Sequence, residues 1–262
     1  QRMDGIDFRV AGKTYRYQLP TSWDEVTKEQ FIRLVAGLGK PTEGLPPDVV
    51  RDIIGIDDVV DASLEISDWW WLSNRLGWML ELDKITKLII QDVTLEDGMV
   101  CYGYNDDMSD IAWEEFIFAD TYASAKRWDV VAAVLYRPER ENWNGETDRR
   151  IPFSKYGADK RSGAMAALGK ETLDAIGVNY LLLRRQLTRK YPRIFAEIEE
   201  DELVKKTKKK GGGENWLSLI RNMMGDNFFE EEKYMSLPVP SVFFQINRVV
   251  KENNERMRHG GK

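Results

Sequence analysis

Cysteine and histidine are nearly absent from this sequence, one of each in 262 residues. Cys101 alone excludes an internal disulfide, and Cys101 with His259 falls short of a zinc cluster. A single histidine so near the last residue also excludes Ser-His-Asp or Cys-His catalysis in a rigid core. Cys101 reads as a small buried hydrophobe in a strand. No apolar run reaches the ~18 residues that a membrane-spanning helix needs. No Gly-x-x-x-x-Gly-Lys-Ser/Thr loop occurs, and neither Gly103 nor Gly211–Gly213 has the strand, glycine turn and helix of a dinucleotide fingerprint. There is no fixed-period repeat and no heptad pattern. Gln1–Val10 carries Asp4, Asp7 and Arg9 where a signal peptide has its apolar core, and a start on glutamine reads as a trimmed end. The surroundings these absences imply are a reducing cytoplasm.

What is present suits a folded chain. Hydrophobic residues make up 42% and charged residues 31%, enough to fill a core and too apolar for global disorder. Acidic residues outnumber basic ones, 44 to 38, for a net charge of −6, which argues against nucleic acid as the general partner. The basic residues cluster locally as Arg184, Arg185, Arg189, Lys190 and Arg193, and again as Lys205, Lys206, Lys208, Lys209 and Lys210. The acidic run Glu197–Glu202 lies between them. Alternating blocks of this kind read as a solvated helix and a linker; a nucleic-acid accessory role is the sharper alternative.

The pattern predicts a mainly α chain with two small β-hairpins, an α+β fold. Ile6, Phe8 and Val10 alternate with polar residues, as do Tyr15, Tyr17 and Leu19, around Ala11-Gly12. Ser22–Glu25 and Thr27–Gln30 both fit a capping box, and Phe31, Leu34, Val35 and Leu38 follow at helical spacing. Pro47 can open a helix that Gly55 stops. Ser67 is the expected cap of a helix carrying Trp69, Trp70, Trp71, Leu72, Leu76 and Trp78. Lys87–Leu95 and Met99–Tyr104 read as the second hairpin about Asp97-Gly98. Ser109 is expected to cap a helix through Trp113 and Phe116, followed by a helix over Trp128–Tyr136. Residues 137–157 read as a long charged loop. Helices are expected again near Ala158–Leu168 and Glu171–Tyr191.

The compact body is expected to run over residues 1–204. A lysine- and glycine-rich linker takes 205–214, and 215–262 forms a C-terminal helical segment. That segment has a helix at Trp216, an extended Leu237–Pro240 and an amphipathic helix from Ser241 with Phe243, Phe244 and Ile246.

Two groups of residues are candidates for chemistry or contact. Asp106, Asp107, Asp110, Glu114 and Glu115 could bind Mg²⁺ or supply an acid and a base, but their spacing fits no motif, and acidic residues at a helix start also complement its dipole. Asp57, Asp58 and Asp61 read the same way. No cofactor and no metal is implied. The second group is aromatic. Three consecutive tryptophans stand about 100° apart around a helix and cannot share one face. Trp69, Trp70, Trp71 and Trp78, then Trp216, Phe243 and Phe244, are the candidate partner contacts, since tryptophan is enriched at interface hot spots. Core packing is the plain reading of the same residues, and a carbohydrate platform a lesser one.

The segment Tyr17-Gln18-Leu19-Pro20-Thr21-Ser22-Trp23-Asp24-Glu25-Val26-Thr27, followed by Gln30-Phe31, resembles the N-terminal signature of tail-assembly proteins in tailed phages and prophages of Bacteroidetes-type hosts. Ala132–Pro138, a helix ending in Leu-Tyr-Arg-Pro, is a second echo, and the late Trp216 helix, linker and terminal helix are similar in layout to tail-assembly chaperones. The two motifs span only about twenty residues. The resemblance implies a non-enzymatic chaperone in the host cytoplasm. It would coat a long, helical tape-measure protein while tail-tube subunits assemble, with a C-terminal segment that moves on its linker. A structural virion component, a tail-completion or connector protein whose hairpin edges pair between subunits, is the next alternative. A second copy of the chain is then a partner too. An enzyme using Asp106–Glu115 and a nucleic-acid accessory protein using Arg184–Arg193 and Lys205–Lys210 follow.

Overall fold

The structure, a computed structural model, describes residues 4–38, 44–191, 194, 216 and 231–259, without the side chains of 253, 254 and 256–259. It is mainly helical with two small antiparallel sheets, an α+β fold with ten helices among the described residues. The linker expected at 205–214 and most of the helix expected around Trp216 lie outside the described residues.

The first hairpin joins β1 (Asp4–Val10) to β2 (Lys13–Leu19) in full register, with Ile6 opposite Tyr17. Ala11 and Gly12 both take positive φ, 50° and 81°; two such residues match the turn to the twist of the strands. A lone hairpin is marginal in water. This one is held by Ile6, Tyr17 and Leu19, which are buried, and by the Tyr17 hydroxyl, which donates to Asp57 Oδ2 at 2.8 Å.

Helix α1 (Lys28–Gly37) begins with the expected box, in which Thr27 and Gln30 bond each other's backbone amides. Ser22–Glu25 forms no helix; Glu25 instead accepts from the amide and hydroxyl of Thr21. Helix α2 (Pro47–Ile54) has proline in its first turn and ends at Gly55 in the left-handed region. A Cβ on Gly37 would collide with Val49, so the absent side chain is what lets α1 and α2 pack together. After the short α3 (Asp58–Asp61), α4 (Ile66–Leu76) starts earlier than expected. Its box is Glu65 with Asp68, whose carboxylate accepts from the Glu65 amide at 2.9 Å, and Ser67 lies inside the helix.

The second sheet has three strands, not two: β3 (Asp92–Thr94), β4 (Val100–Tyr102) and β5 (Arg137–Pro138). The strand expected over Lys87–Leu95 is shorter because its first amides bond side chains instead of a neighbouring strand. Leu88 donates to Asp106, and Ile89 and Ile90 both donate to Asn179 Oδ1 at 2.8 and 3.2 Å. The long loop expected at 137–157 is also mostly ordered by pairing. Ile151 donates to the Pro138 carbonyl and Arg140 to that of Arg149, making residues 138–151 a short hairpin arm.

The centre of the molecule is α6 (Trp128–Leu135), whose residues from Val130 onward are all buried. It packs against α5 (Trp113–Ser124), α7 (Lys155–Ala166) and α8 (Lys170–Arg189). Ser109 does not cap α5. The Trp113 amide instead donates to the Leu237 carbonyl at 2.9 Å, Val239 donates back to Ile111, and Ala112 bridges Pro238. The chain then runs from α9 (Glu231–Met235) into α10 (Val239–His259), which starts two residues before Ser241. Val242, Phe243 and Ile246 enter the same core as α5, so the described part of the C-terminal segment is docked on the body.

Candidate functional site

The aromatic candidates separate by position. On α4, Leu72 and Leu76 face the core and are fully buried. The opposite side carries Ile66, 89% exposed, and Trp70, 70% exposed, four positions apart and hence one above the other. Trp71 is 44% exposed and takes the Arg75 guanidinium over its ring at 5.5 Å, a contact worth about 0.5–1 kcal/mol at an exposed site. Arg75 also bonds Asp4 at 2.6 Å. Trp69 is half-buried against the core. Trp78 is half-buried too, edge-on to Trp23 at 5.2 Å.

Trp216 and Phe243 are not surface contacts. Both are buried, 5.5 Å apart, in a ring cluster with Trp113 and Phe116. Phe243 has no exposed surface and Trp216 only 8%, so neither presents an outward face. Their neighbour Phe244 points the other way and is 61% exposed on α10. The structure therefore leaves Trp70, Trp71 and Phe244 as outward aromatics and adds Ile66, which the sequence reading missed. Its signal was the i, i+4 spacing to Trp70.

All the carboxylate candidates but the exposed Asp58 have partners within the chain. Asp106 accepts from the Leu88 amide, Asp107 from the Ser109 amide and Asp110 from the Asn105 amide. Glu114 pairs with Lys155 on the surface. Asp57 holds Tyr17, and Asp61 holds Arg51 at 3.1 Å. Among the described residues no group of three or more metal-ligating side chains comes together. Burial pushes the Cys101 thiol up to about 11, so it stays protonated and inert at neutral pH.

Glu115 belongs to a buried ion network. Arg137 and Arg150 are fully buried. Arg137 bonds Glu115 at 2.7 Å and Asp148 at 3.1 Å; Arg150 bonds Asp148 at 2.9 Å and Asp110 at 3.1 Å. The two guanidinium groups also donate to the carbonyls of Val134 and Leu135, the orphan acceptors at the end of α6. Burial raises the Glu115 and Asp110 carboxyls against the pull of Arg137 and Arg150 respectively. Burial also pushes Asp148 upward, but its bonds to Arg150 outweigh this and leave it lowered. The network roots the 138–151 arm.

A cleft of about 800 Å³ opens between that arm and β4. Arg149 lies over the Tyr102 ring at 3.4 Å and 5.1 Å from the Trp143 ring. The Trp143 indole donates to the Thr147 carbonyl at 2.8 Å and closes the tip of the arm. Sequence reasoning saw only a loop here; its signal was the Trp143-Asn144-Gly145 turn.

Of the basic candidates, Arg184 bonds Asp120 at 3.2 Å and Arg189 lies 3.8 Å from Asp83. Arg193 and Lys205–Lys210 lie outside the described residues. No described helix is long and apolar enough to cross a membrane. Compared with protein-family models, with curated proteins and with solved structures, the chain matches none.

Proposed function

We propose that this chain is a non-enzymatic phage tail-assembly chaperone that holds a long helical, tape-measure-like protein in the host cytoplasm. The observation that carries this reading is the outward face of α4, where Ile66 and Trp70 stand in line with Trp71 beside them. Large apolar groups held out on a rigid helix suit the apolar stripe of an amphipathic helix. The resemblance of Tyr17–Phe31 to tail-assembly proteins supplies the identity of that partner. One further feature is consistent with it: a net charge of −6 keeps a complex in solution.

A structural virion component is the second reading. It is favoured by the first hairpin, a two-stranded sheet whose outer edges pair with no third strand among the described residues.

Mass spectrometry of an infected or induced culture tests both. The chaperone should co-purify with the tape-measure protein from the lysate and be missing from finished particles. Ile66→Asp with Trp70→Ser should abolish that co-purification while the circular dichroism spectrum stays unchanged. Fixed stoichiometry in purified particles would make it a virion component instead.

A further inference from the structure

The cleft beside the 138–151 arm holds groups that an assembly role leaves unused. Its volume, about 800 Å³, lies within the roughly 300–1,000 Å³ of small-ligand sites. Most of its charge is neutralised from within. Asp110 and Asp148 hold Arg150, Asp92 holds Lys28 at 2.9 Å, and Arg149 is tied to Glu139 at 2.6 Å. An anion such as a nucleotide or phosphate meets carboxylates and no available guanidinium. A cation must compete with the arginines and lysine already seated.

What is left is neutral hydrogen-bonding capacity beside a flat ring. Gln91 and Thr147 line the cleft, and their side chains make no hydrogen bond among the described residues. Asp106 gives one oxygen to the Leu88 amide at 2.6 Å and keeps the other. Tyr104 also lines the cleft, but its hydroxyl is buried away from the opening. Trp143 is 36% exposed at the rim. A ring face next to planar amide and carboxylate groups complements a molecule with an apolar C–H face and a rim of hydroxyls.

We infer that this cleft binds a neutral saccharide, with a sugar ring on the face of Trp143 that Arg149 does not cover and its hydroxyls bonded to Gln91, Asp106 and Thr147. Such a site is compatible with either assembly role and depends on neither.

Calorimetric titration of the full chain with glucose, galactose, N-acetylglucosamine, lactose, cellobiose and chitobiose tests it. At least one should bind saturably, with a dissociation constant of about 10 mM or tighter. Trp143→Ala should weaken that binding roughly tenfold by removing the stacking face. Gln91→Ala should weaken it roughly threefold by removing one hydrogen bond. The second variant removes no bond within the protein, so its effect stands even where Trp143→Ala disturbs the arm. No saturable binding by any of these sugars overturns the inference. So does binding that survives both substitutions, or a cleft that takes a hexalysine peptide and none of the sugars.

Discussion

The indole N–H of Trp216 donates to Asp120 Oδ2 at 2.7 Å, joining residues 96 positions apart. Asp120 is buried and also accepts from the Tyr180 hydroxyl at 3.4 Å and from Arg184 at 3.2 Å. Three donors on one carboxylate make it a hub between α5, α8 and the C-terminal segment.

Asp120→Ala is therefore expected to cost about 2–4 kcal/mol, because it strands buried donors as well as a charge. Trp216→Phe removes one donor and keeps an aromatic ring, and should cost less, about 1–2 kcal/mol. Urea unfolding followed by circular dichroism measures both. A negligible loss for Trp216→Phe would show that the ring, not the bond, holds residue 216.

The buried network predicts a signed pH dependence. Glu115 is raised above its ordinary value of 4.5 by burial, so the folded state binds its proton more readily than the unfolded chain. Stability then rises, relative to Glu115→Gln, as pH falls from the raised value through 4.5. Asp148 is lowered below 3.8, so its contribution is present above 3.8 and lost as pH falls through the lowered value. Unfolding free energies of wild type, Glu115→Gln and Asp148→Asn between neutral pH and about 3 should diverge in these opposite senses.

Asn179 replaces a strand for Ile89 and Ile90. Asn179→Ala leaves two buried amides without an acceptor and should cost about 2–4 kcal/mol. In hydrogen exchange the same two amides should lose protection while those of β4 keep theirs. Uniform loss across the sheet would contradict a local role.

Gly37→Ala places a methyl group against Val49 and should cost about 1–3 kcal/mol through overpacking. Val49→Ala alone costs a buried side chain of similar size. The double variant should be more stable than the sum of the two losses predicts, since the new methyl fills the space Val49 vacates. Additive losses would rule out that contact.

Local chemistry made part of this fold legible in the sequence. Alternation and the Ala11-Gly12 turn marked the first hairpin, the Thr27–Gln30 box marked α1, and Pro47 with Gly55 bracketed α2. What escaped depends on distant residues. The length of β3 is set by Asn179 on α8. The start of α5 is set by Leu237 in place of Ser109, and β5 is held by the burial of Arg137. The aromatic candidates show the same limit: neighbours Phe243 and Phe244 have the same side chain, and only packing against Trp113 and Phe116 makes one of them core. The cleft was invisible for a related reason, since Tyr102, Trp143 and Arg149 meet only once the arm has folded back.

The bond from the Trp113 amide to the Leu237 carbonyl has a consequence in time. A chain emerges from the ribosome in order, at roughly 5–20 residues per second, and α5 is made long before the strand-like segment that finishes its first turn. For several seconds the Trp113 and Phe116 rings have neither Phe243 nor Trp216 to cover them. Non-local closure of this kind slows folding and leaves the nascent chain adhesive until α10 is released. A chain that ends before Val239 would still lack Phe243 over those rings.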